Sequence, residues 1–101
     1  MSEPGVAVYA AAKAALEQIT KVAAWELAPR GIAVNTVSPG PTNTEFLRAN
    51  NPPAVLEQAA AMTPLGRIGE PADIADIVAF LVGPDSRWLT GQNLRATGGM
   101  G

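Results

Sequence analysis

The segment that decides the fold runs from Val6 to Val37 and reads VAVYAAAKAALEQITKVAAWELAPRGIAVNTV. Its first part, Val6 to Ala28, is rich in alanine and other good helix formers and contains neither glycine nor proline, so it predicts one long helix. Pro29-Arg30-Gly31 ends that helix. The run from Ile32 to Val37 follows at once and predicts a short, buried parallel strand.

Helical spacing places the apolar residues of the first segment on two adjacent stripes. One stripe holds Tyr9, Leu16, Ala23 and Leu27, and the other holds Val8, Ala12, Ala15, Ile19 and Val22. A helix with so broad an apolar surface is expected to be covered on two sides.

The rest of the chain alternates loops, helices and one further strand. The expected elements are a loop from Ser38 to Thr44, a weak helix from Thr44 or Glu45, a break at Asn51-Pro52-Pro53, a helix from Ala54 to Met62, a loop from Thr63 to Gly69, a helix from Ala72 to about Val82 that Glu70-Pro71 opens, and a strand from Gln92 to Ala96. Two short parallel strands need neighbouring strands and cover on both faces. The pattern therefore indicates the second half of a larger α/β domain.

The composition excludes several kinds of chemistry. The 101 residues contain no cysteine and no histidine, which excludes disulfides, thiolate chemistry and imidazole bases. Seven basic residues against nine acidic ones, without a basic cluster, argue against nucleic-acid or anionic-membrane partners. Glu70, Asp73 and Asp76 fit helix-start electrostatics better than a metal site, so no metal is expected.

The sequence predicts one small cytoplasmic domain. The longest strongly apolar run, Ile77 to Val82, is too short to cross a bilayer. Met1 to Gly5 have neither the basic region nor the apolar core of a signal peptide.

Tyr9 and Lys13 are the strongest candidates for a chemical role. They are four residues apart, so on a helix they lie on the same face. A phenol has a pKa near 10, and a neighbouring ammonium favours the phenolate. Such a pair can protonate an alkoxide, or accept a proton in the reverse reaction. Without its surroundings the same pair is more often a simple surface contact.

Five blocks of sequence supply those surroundings. They are Tyr9-Ala10-Ala11-Ala12-Lys13, Glu26-Leu27-Ala28-Pro29-Arg30-Gly31-Ile32-Ala33-Val34-Asn35, Val37-Ser38-Pro39-Gly40-Pro41-Thr42-Asn43-Thr44, Leu65-Gly66-Arg67-Ile68-Gly69-Glu70-Pro71-Ala72-Asp73 and Leu89-Thr90-Gly91-Gln92. In this order and spacing the chain closely resembles the C-terminal half of a classical short-chain dehydrogenase/reductase. The resemblance implies an incomplete Rossmann-like α/β fold, with residues 1–101 as a single C-terminal segment and the dinucleotide-binding half absent.

The resemblance also implies roles for individual residues around NAD or NADP. Tyr9 matches the catalytic tyrosine, and Lys13 matches the lysine that assists it and holds the nicotinamide ribose. The remaining cofactor contacts fall on Pro39, Gly40, Thr42 and Thr44, where Thr42 replaces the family's usual Val or Ile. Asn35 matches a structural position, Arg67 and Gly69 match a loop-ordering one, and Glu45 to Met62 occupy the variable substrate lid.

The family's Gly-rich turn and the asparagine of its proton relay do not occur in these 101 residues. Its serine would fall before Met1, and Ser2 is not assigned that role. We therefore expect little or no oxidoreductase activity from the chain alone. Two alternatives stay open: a non-catalytic module that forms homo-oligomers through Val6–Ala28 and the last helix and strand, and a truncated fragment without a function of its own.

Overall fold

The computed structural model of the chain describes residues 6–100, so the interpretation of Met1 to Gly5 lies outside the described residues. The elements in chain order are helix α1 (Val6–Leu27), a 3-10 turn (Ala28–Arg30), strand β1 (Thr36–Pro39), helices α2 (Glu45–Asn50), α3 (Pro53–Met62) and α4 (Pro71–Val82), a second 3-10 turn (Pro84–Ser86) and strand β2 (Asn93–Ala96). No helix within residues 6–100 is long and apolar enough to span a membrane.

The two strands pair in parallel. The Thr36 amide donates to the Gln92 carbonyl at 2.9 Å, and the Gly40 amide donates to the Ala96 carbonyl at 3.0 Å. Both strands advance in the same direction between these two bonds, which is the parallel register. The helix-rich α/β class with two short parallel strands is confirmed.

The predicted start of the first strand, Ile32, is wrong. The amide of Val34 donates to Thr90 Oγ1 at 3.0 Å and its carbonyl accepts from the Gly91 amide at 2.7 Å, so Val34 bonds to a turn. Because β2 begins only at Asn93, the residues directly before Thr36 have no strand beside them within the described part of the chain.

The prediction that Ser38 and Pro39 belong to a loop is also wrong, because β1 includes both residues. Thr36 and Gly40 direct their amides toward β2. Alternation along the strand turns the nitrogen of Pro39 toward the opposite edge, where its missing hydrogen removes no bond from this ladder.

The three later helices agree with the predicted breaks. Thr44 caps α2 by accepting a hydrogen bond from the Leu47 amide at 3.2 Å, and after the break α3 begins at Pro53. Helix α4 begins at Pro71, where a first-turn proline loses no helical hydrogen bond.

The described residues divide into two compact units, the first of which comprises residues 6–36 together with Trp88–Asn93. Its buried residues are Thr20 and Ala24, which are 4% and 2% exposed and lie four apart on α1. Thr20 Oγ1 donates to the Leu16 carbonyl at 2.8 Å and lies in hydrogen-bond contact with Thr36 Oγ1. Gly91 approaches Ala24 closely, since a Cβ at Gly91 would lie 3.4 Å from the Ala24 methyl.

Helix α1 is covered on one side within the described residues, so the expectation of cover on two sides is wrong there. Ile19 is 61% exposed and Trp25 is 85% exposed, and Val8, Leu16 and Val22 are also exposed. The stripe that contains Val8, Ile19 and Val22 is therefore an open apolar surface.

The second unit comprises Val37–Arg87 and residues 94–100. Thr63 is buried and donates its hydroxyl to the Ala59 carbonyl at 2.8 Å, which closes the end of α3. The Leu65 amide donates to the Gly98 carbonyl at 3.0 Å, so the segment after β2 lies against the segment after α3. Ser86 is also buried and donates to the Leu81 carbonyl at 2.8 Å.

Candidate functional site

Tyr9 and Lys13 lie together on α1 in the first unit. The Lys13 Nζ atom is 5.6 Å from the centroid of the Tyr9 ring, a cation–π distance. Both residues are exposed, Tyr9 by 64%. The predicted proximity of the two residues is confirmed, and it follows from one turn of uninterrupted helix.

The other four predicted site residues belong to the second unit, on the loop that joins β1 to α2. Pro39 is the last residue of β1, and Gly40 donates its amide to β2. A Cβ at Gly40 would lie 3.1 Å from the Thr97 Cα atom, so glycine lets the two backbones approach closely here.

The two threonines of this loop, Thr42 and Thr44, make different hydrogen bonds. Thr42 Oγ1 donates to the Gly40 carbonyl at 2.9 Å and thereby tightens the loop. Thr44 Oγ1 accepts from the Leu47 amide as the cap of α2, which leaves its hydroxyl proton to donate elsewhere.

The segment from Arg67 to Asp73 holds this loop in place. Thr42 and Gly69 form an isolated parallel bridge, in which the Asn43 amide donates to the Gly69 carbonyl at 2.7 Å and the Gly69 amide donates to the Pro41 carbonyl at 2.8 Å. The predicted loop-ordering role of Gly69 is confirmed by this bridge.

Arg67 and Asp73 form a two-pronged ion pair. Arg67 NH1 lies 2.7 Å from Asp73 Oδ2, and Arg67 NH2 lies 3.2 Å from Oδ1. The hydrogen bond from Arg67, followed by one from the Glu70 backbone amide, lowers the pKa of Asp73 to about 2. The same hydrogen bond with Asp73 raises the pKa of Arg67. The loop-ordering role of Arg67 and the helix-start role of Asp73 are confirmed.

Asn35 holds the turn before β2 in the first unit. Its Nδ2 donates to the Leu89 carbonyl at 3.2 Å, and its Oδ1 accepts from the Gln92 amide at 3.1 Å. The predicted structural role of Asn35 is confirmed, because its side-chain amide makes the two hydrogen bonds to this turn that the backbone of a neighbouring strand would otherwise make.

A cavity of about 170 Å³ lies within the second unit. It is smaller than the roughly 300–1,000 Å³ of pockets that take small ligands. It is lined by Gly40, Pro41, Thr63, Leu65, Arg67, Gly69, Asp73, Ile74, Ile77, Ala96, Thr97 and Gly98. A dinucleotide does not fit this space, so we assign no ligand to it.

Sequence reasoning missed the role of Asn43. Its side chain accepts a hydrogen bond from Arg48 NH1 at 2.6 Å and donates to both carboxylate oxygens of Glu70 at 3.3 Å. The sequence did offer a signal for this role: Asn43 stands next to the cap residue Thr44, and Arg48 follows Asn43 by five positions.

Comparisons with known proteins agree with one another. A family model described as enoyl-(acyl carrier protein) reductase matches residues 1–101. The chain is 42% identical over 97 residues to an NADPH-dependent aldehyde reductase-like chloroplastic protein of Arabidopsis thaliana, covering 96% of this chain and 36% of that protein. It is 44% identical over 100 residues to the 3-oxoacyl-acyl-carrier-protein reductase FabG of Vibrio cholerae, covering 99% and 41%.

Solved structures give the same result. A short-chain dehydrogenase/reductase from Serratia marcescens aligns with a TM-score of 0.84 and 39% identity, covering 98% of this chain and 40% of that chain. A blue fluorescent protein from a metagenomic library, solved with NADPH, aligns with a TM-score of 0.83 and 42% identity, covering 97% and 39%. The chain thus spans about two fifths of the length of the relatives it matches. Because the family model matches residues 1–101 of the chain and these neighbours share its fold, the chain belongs to the short-chain dehydrogenase/reductase family.

Proposed function

We propose that this chain supplies the tyrosine–lysine proton-transfer pair and a nicotinamide-contacting loop of an NAD(P)-dependent oxidoreductase that interconverts carbonyl compounds and alcohols. The observation that supports it most is the position of Lys13 Nζ, 5.6 Å from the exposed ring of Tyr9. The names of two relatives, an aldehyde reductase-like protein and a 3-oxoacyl carrier-protein reductase, support the same reaction class.

Tyr9 is the proton donor in this proposal. Its hydroxyl donates a proton to the substrate oxygen as that oxygen gains negative charge, and the ammonium of Lys13 stabilises the charge left on the phenol oxygen. In the oxidation of an alcohol, the same two groups act in the reverse direction. The nicotinamide, when bound, supplies or accepts the hydride.

Each unit, taken by itself, carries donors of the kind that a nicotinamide nucleotide accepts. Lys13 carries three N–H donors for ribose hydroxyls, and Thr44 keeps a hydroxyl proton for a carboxamide or phosphate oxygen. We assign Pro39, Gly40 and Thr42 to the nicotinamide side of the same loop. The Thr42 hydroxyl already donates its proton to the Gly40 carbonyl. Thr42 would therefore contact the nicotinamide through its backbone, or through its hydroxyl oxygen as an acceptor.

We propose that residues 1–101 show little or no turnover alone. The sequence contains no Gly-rich turn to seat a pyrophosphate. A proton donor without a fixed hydride donor and a polarised carbonyl loses the proximity and electrostatic contributions to catalysis.

The experiment is a fluorescence titration of the purified chain with NADH and with NADPH, beside Lys13→Ala and Tyr9→Phe. The proposal is supported if the wild-type chain binds saturably and Lys13→Ala weakens the binding about tenfold, because this variant loses a charge-assisted hydrogen bond. Tyr9→Phe is expected to leave the binding in place, because phenylalanine keeps the aromatic ring. Absence of binding by the folded wild-type chain would contradict nucleotide contact by these residues on their own.

A second candidate function is self-association through α1 and the C-terminal helix and strand, α4 and β2. The observation in its favour is the exposed stripe of Val8, Ile19 and Val22 on α1, together with the exposed Val78 and Val82 of α4. A second copy of the chain would cover such apolar surface. Light scattering at micromolar concentration tests this candidate, and a monomeric mass would reject it.

A further inference from the structure

The side-chain amide of Asn43 lies between a cation and an anion. Arg48 NH1 donates to Asn43 Oδ1 at 2.6 Å, and Asn43 Nδ2 donates to the Glu70 carboxylate at 3.3 Å. Arg48 belongs to α2, and Glu70 directly precedes α4. One amide therefore connects the loop after β1 to two helices of the same unit.

This bridge requires the chemistry of an amide. Oδ1 can only accept and Nδ2 can only donate, so an amide meets a guanidinium on one side and a carboxylate on the other. Reversing the amide would place Nδ2 against Arg48 and Oδ1 against Glu70, which is unfavourable at both ends. An aspartate of the same shape would still accept from Arg48, but it would face Glu70 with a like charge.

The backbone of Asn43 is fixed as well. Its amide donates to the Gly69 carbonyl at 2.7 Å, within the bridge that Thr42 forms with Gly69. Its neighbours in the chain, Thr42 and Thr44, are the two threonines assigned to the nicotinamide. A change in the position of α2 therefore acts, through the Arg48–Asn43 bond, on the loop segment that carries both threonines.

We propose that Asn43 is a positioning residue that couples the position of helix α2 to the loop Pro39–Thr44. The inference rests on the proposed function for its meaning, since that function places cofactor contacts on the loop. Thermodynamic reciprocity then follows: an interaction that holds α2 strengthens nucleotide binding at the loop, and bound nucleotide holds α2.

Amide hydrogen exchange measured by NMR on the 101-residue chain tests the coupling. The reporters are the amides of Asn43 and Gly69, whose acceptors are the Gly69 and Pro41 carbonyls. Arg48→Ala is expected to speed exchange at both reporters about threefold, because an exposed bond to a charged group makes a modest net contribution. In an Asn43→Ala background, Arg48→Ala is expected to change neither reporter further.

Two further variants separate coupling from simple packing. Asn43→Asp keeps the shape and the bond from Arg48 but loses the donor to Glu70, and it is expected to speed exchange at Gly69 at least as much as Asn43→Ala. Asn50→Ala is the matched control, since Asn50 is exposed on α2 and bonds to the Phe46 carbonyl of its own helix. An unchanged Asn43→Asp variant, or an equal effect of Arg48→Ala with and without Asn43, would overturn the proposal.

A nucleotide titration links the coupling to the loop's proposed role. Arg48→Ala is expected to weaken NADPH binding about threefold, while Arg87→Ala, which removes an exposed arginine bonded to the Pro84 carbonyl, leaves it unchanged. Binding that Arg48→Ala does not affect would overturn the coupling to the cofactor loop. Failure of the wild-type chain to bind NADPH would reject nucleotide contact by the loop in this chain alone, and the exchange measurements would still decide whether Asn43 couples α2 to the loop.

Discussion

Gly98 lies directly against Thr63, the buried residue that closes α3. A Cβ atom at Gly98 would be 2.6 Å from the Thr63 Cγ2 methyl, and the φ angle of Gly98 is +63°. Glycine is thus required at this position both by the left-handed backbone and by the contact.

Gly98→Ala is expected to lower the free energy of unfolding by about 2–4 kcal/mol, from backbone strain together with overpacking. Gly31→Ala is the control, because Gly31 has a φ of +73° and nothing within 4 Å of its added Cβ. We expect about 1 kcal/mol for Gly31→Ala. Urea unfolding measures both, and equal losses for the two variants would show that the Thr63 contact is without consequence.

The ion pair of Asp73 predicts an acid transition. The folded-state pKa of Asp73 is about 2, below its ordinary value of 3.8, so the pair stabilises the fold above pH 3.8 and loses that contribution as the pH falls through about 2. Arg67→Gln is expected to raise the Asp73 pKa toward 3.8, because it removes the largest cause of the shift. Both side chains are half-exposed, so the effect on stability is small and weakens with salt.

Carboxyl ¹³C NMR titration of Asp73 checks this prediction. Arg87→Gln serves as the control, since Arg87 bonds to the Pro84 carbonyl and has no role at Asp73. A wild-type midpoint near 3.8 would show that the ion pair does not form in solution.

Asn35→Ala is expected to destabilise the first unit. The variant loses the donor to the Leu89 carbonyl and the acceptor for the Gln92 amide, which together contribute about 1–3 kcal/mol. Asn50→Ala removes an exposed bond within one helix and is expected to cost at most about 0.5 kcal/mol. Chemical unfolding that gives the same midpoint for both variants would contradict the structural role of Asn35.

Ile19→Glu tests self-association through α1. The residue is 61% exposed, so a charge there disturbs a surface rather than a packed interior. If a second copy covers this face, the variant is expected to reduce the light-scattering mass to that of the 10.4 kDa chain. Gln18→Glu places the same charge on the neighbouring polar face and is expected to leave the mass unchanged. An Ile19→Glu mass equal to that of an oligomeric wild type would exclude this face as the interface.

The elements that depend on nearby residues were predictable from the sequence. Helix composition and the stop at Pro29-Arg30-Gly31 placed α1, and Pro71 placed the start of α4. The proximity of Tyr9 and Lys13 followed for the same reason, because four positions on a helix fix the distance between two side chains.

The features that were missed depend on distant partners. Val34 lies outside β1 because its amide donates to Thr90 Oγ1, 56 positions later, and not to a neighbouring strand. Asn43 bonds to Arg48 five positions later, but the bond that ties it to the start of α4 depends on Glu70, 27 positions later. Local composition marks neither Thr90 nor Glu70 as a partner, so the pattern along the chain shows the polar residues but not the bonds between them.

The pairing of β1 with β2 also has a consequence for folding kinetics. Directly before the paired strands, the hydrogen bonds of Asn35 to Leu89 and Gln92 join residues 54 and 57 positions apart. Contacts of such high sequence separation must pay their loop-closure entropy before they contribute any stability. The three intervening helices are local structures that form early and shorten the distance to be closed. We therefore expect strand pairing to be a late step in folding. Until it occurs, the residues of β1 would form an unpaired strand edge that another chain could bind.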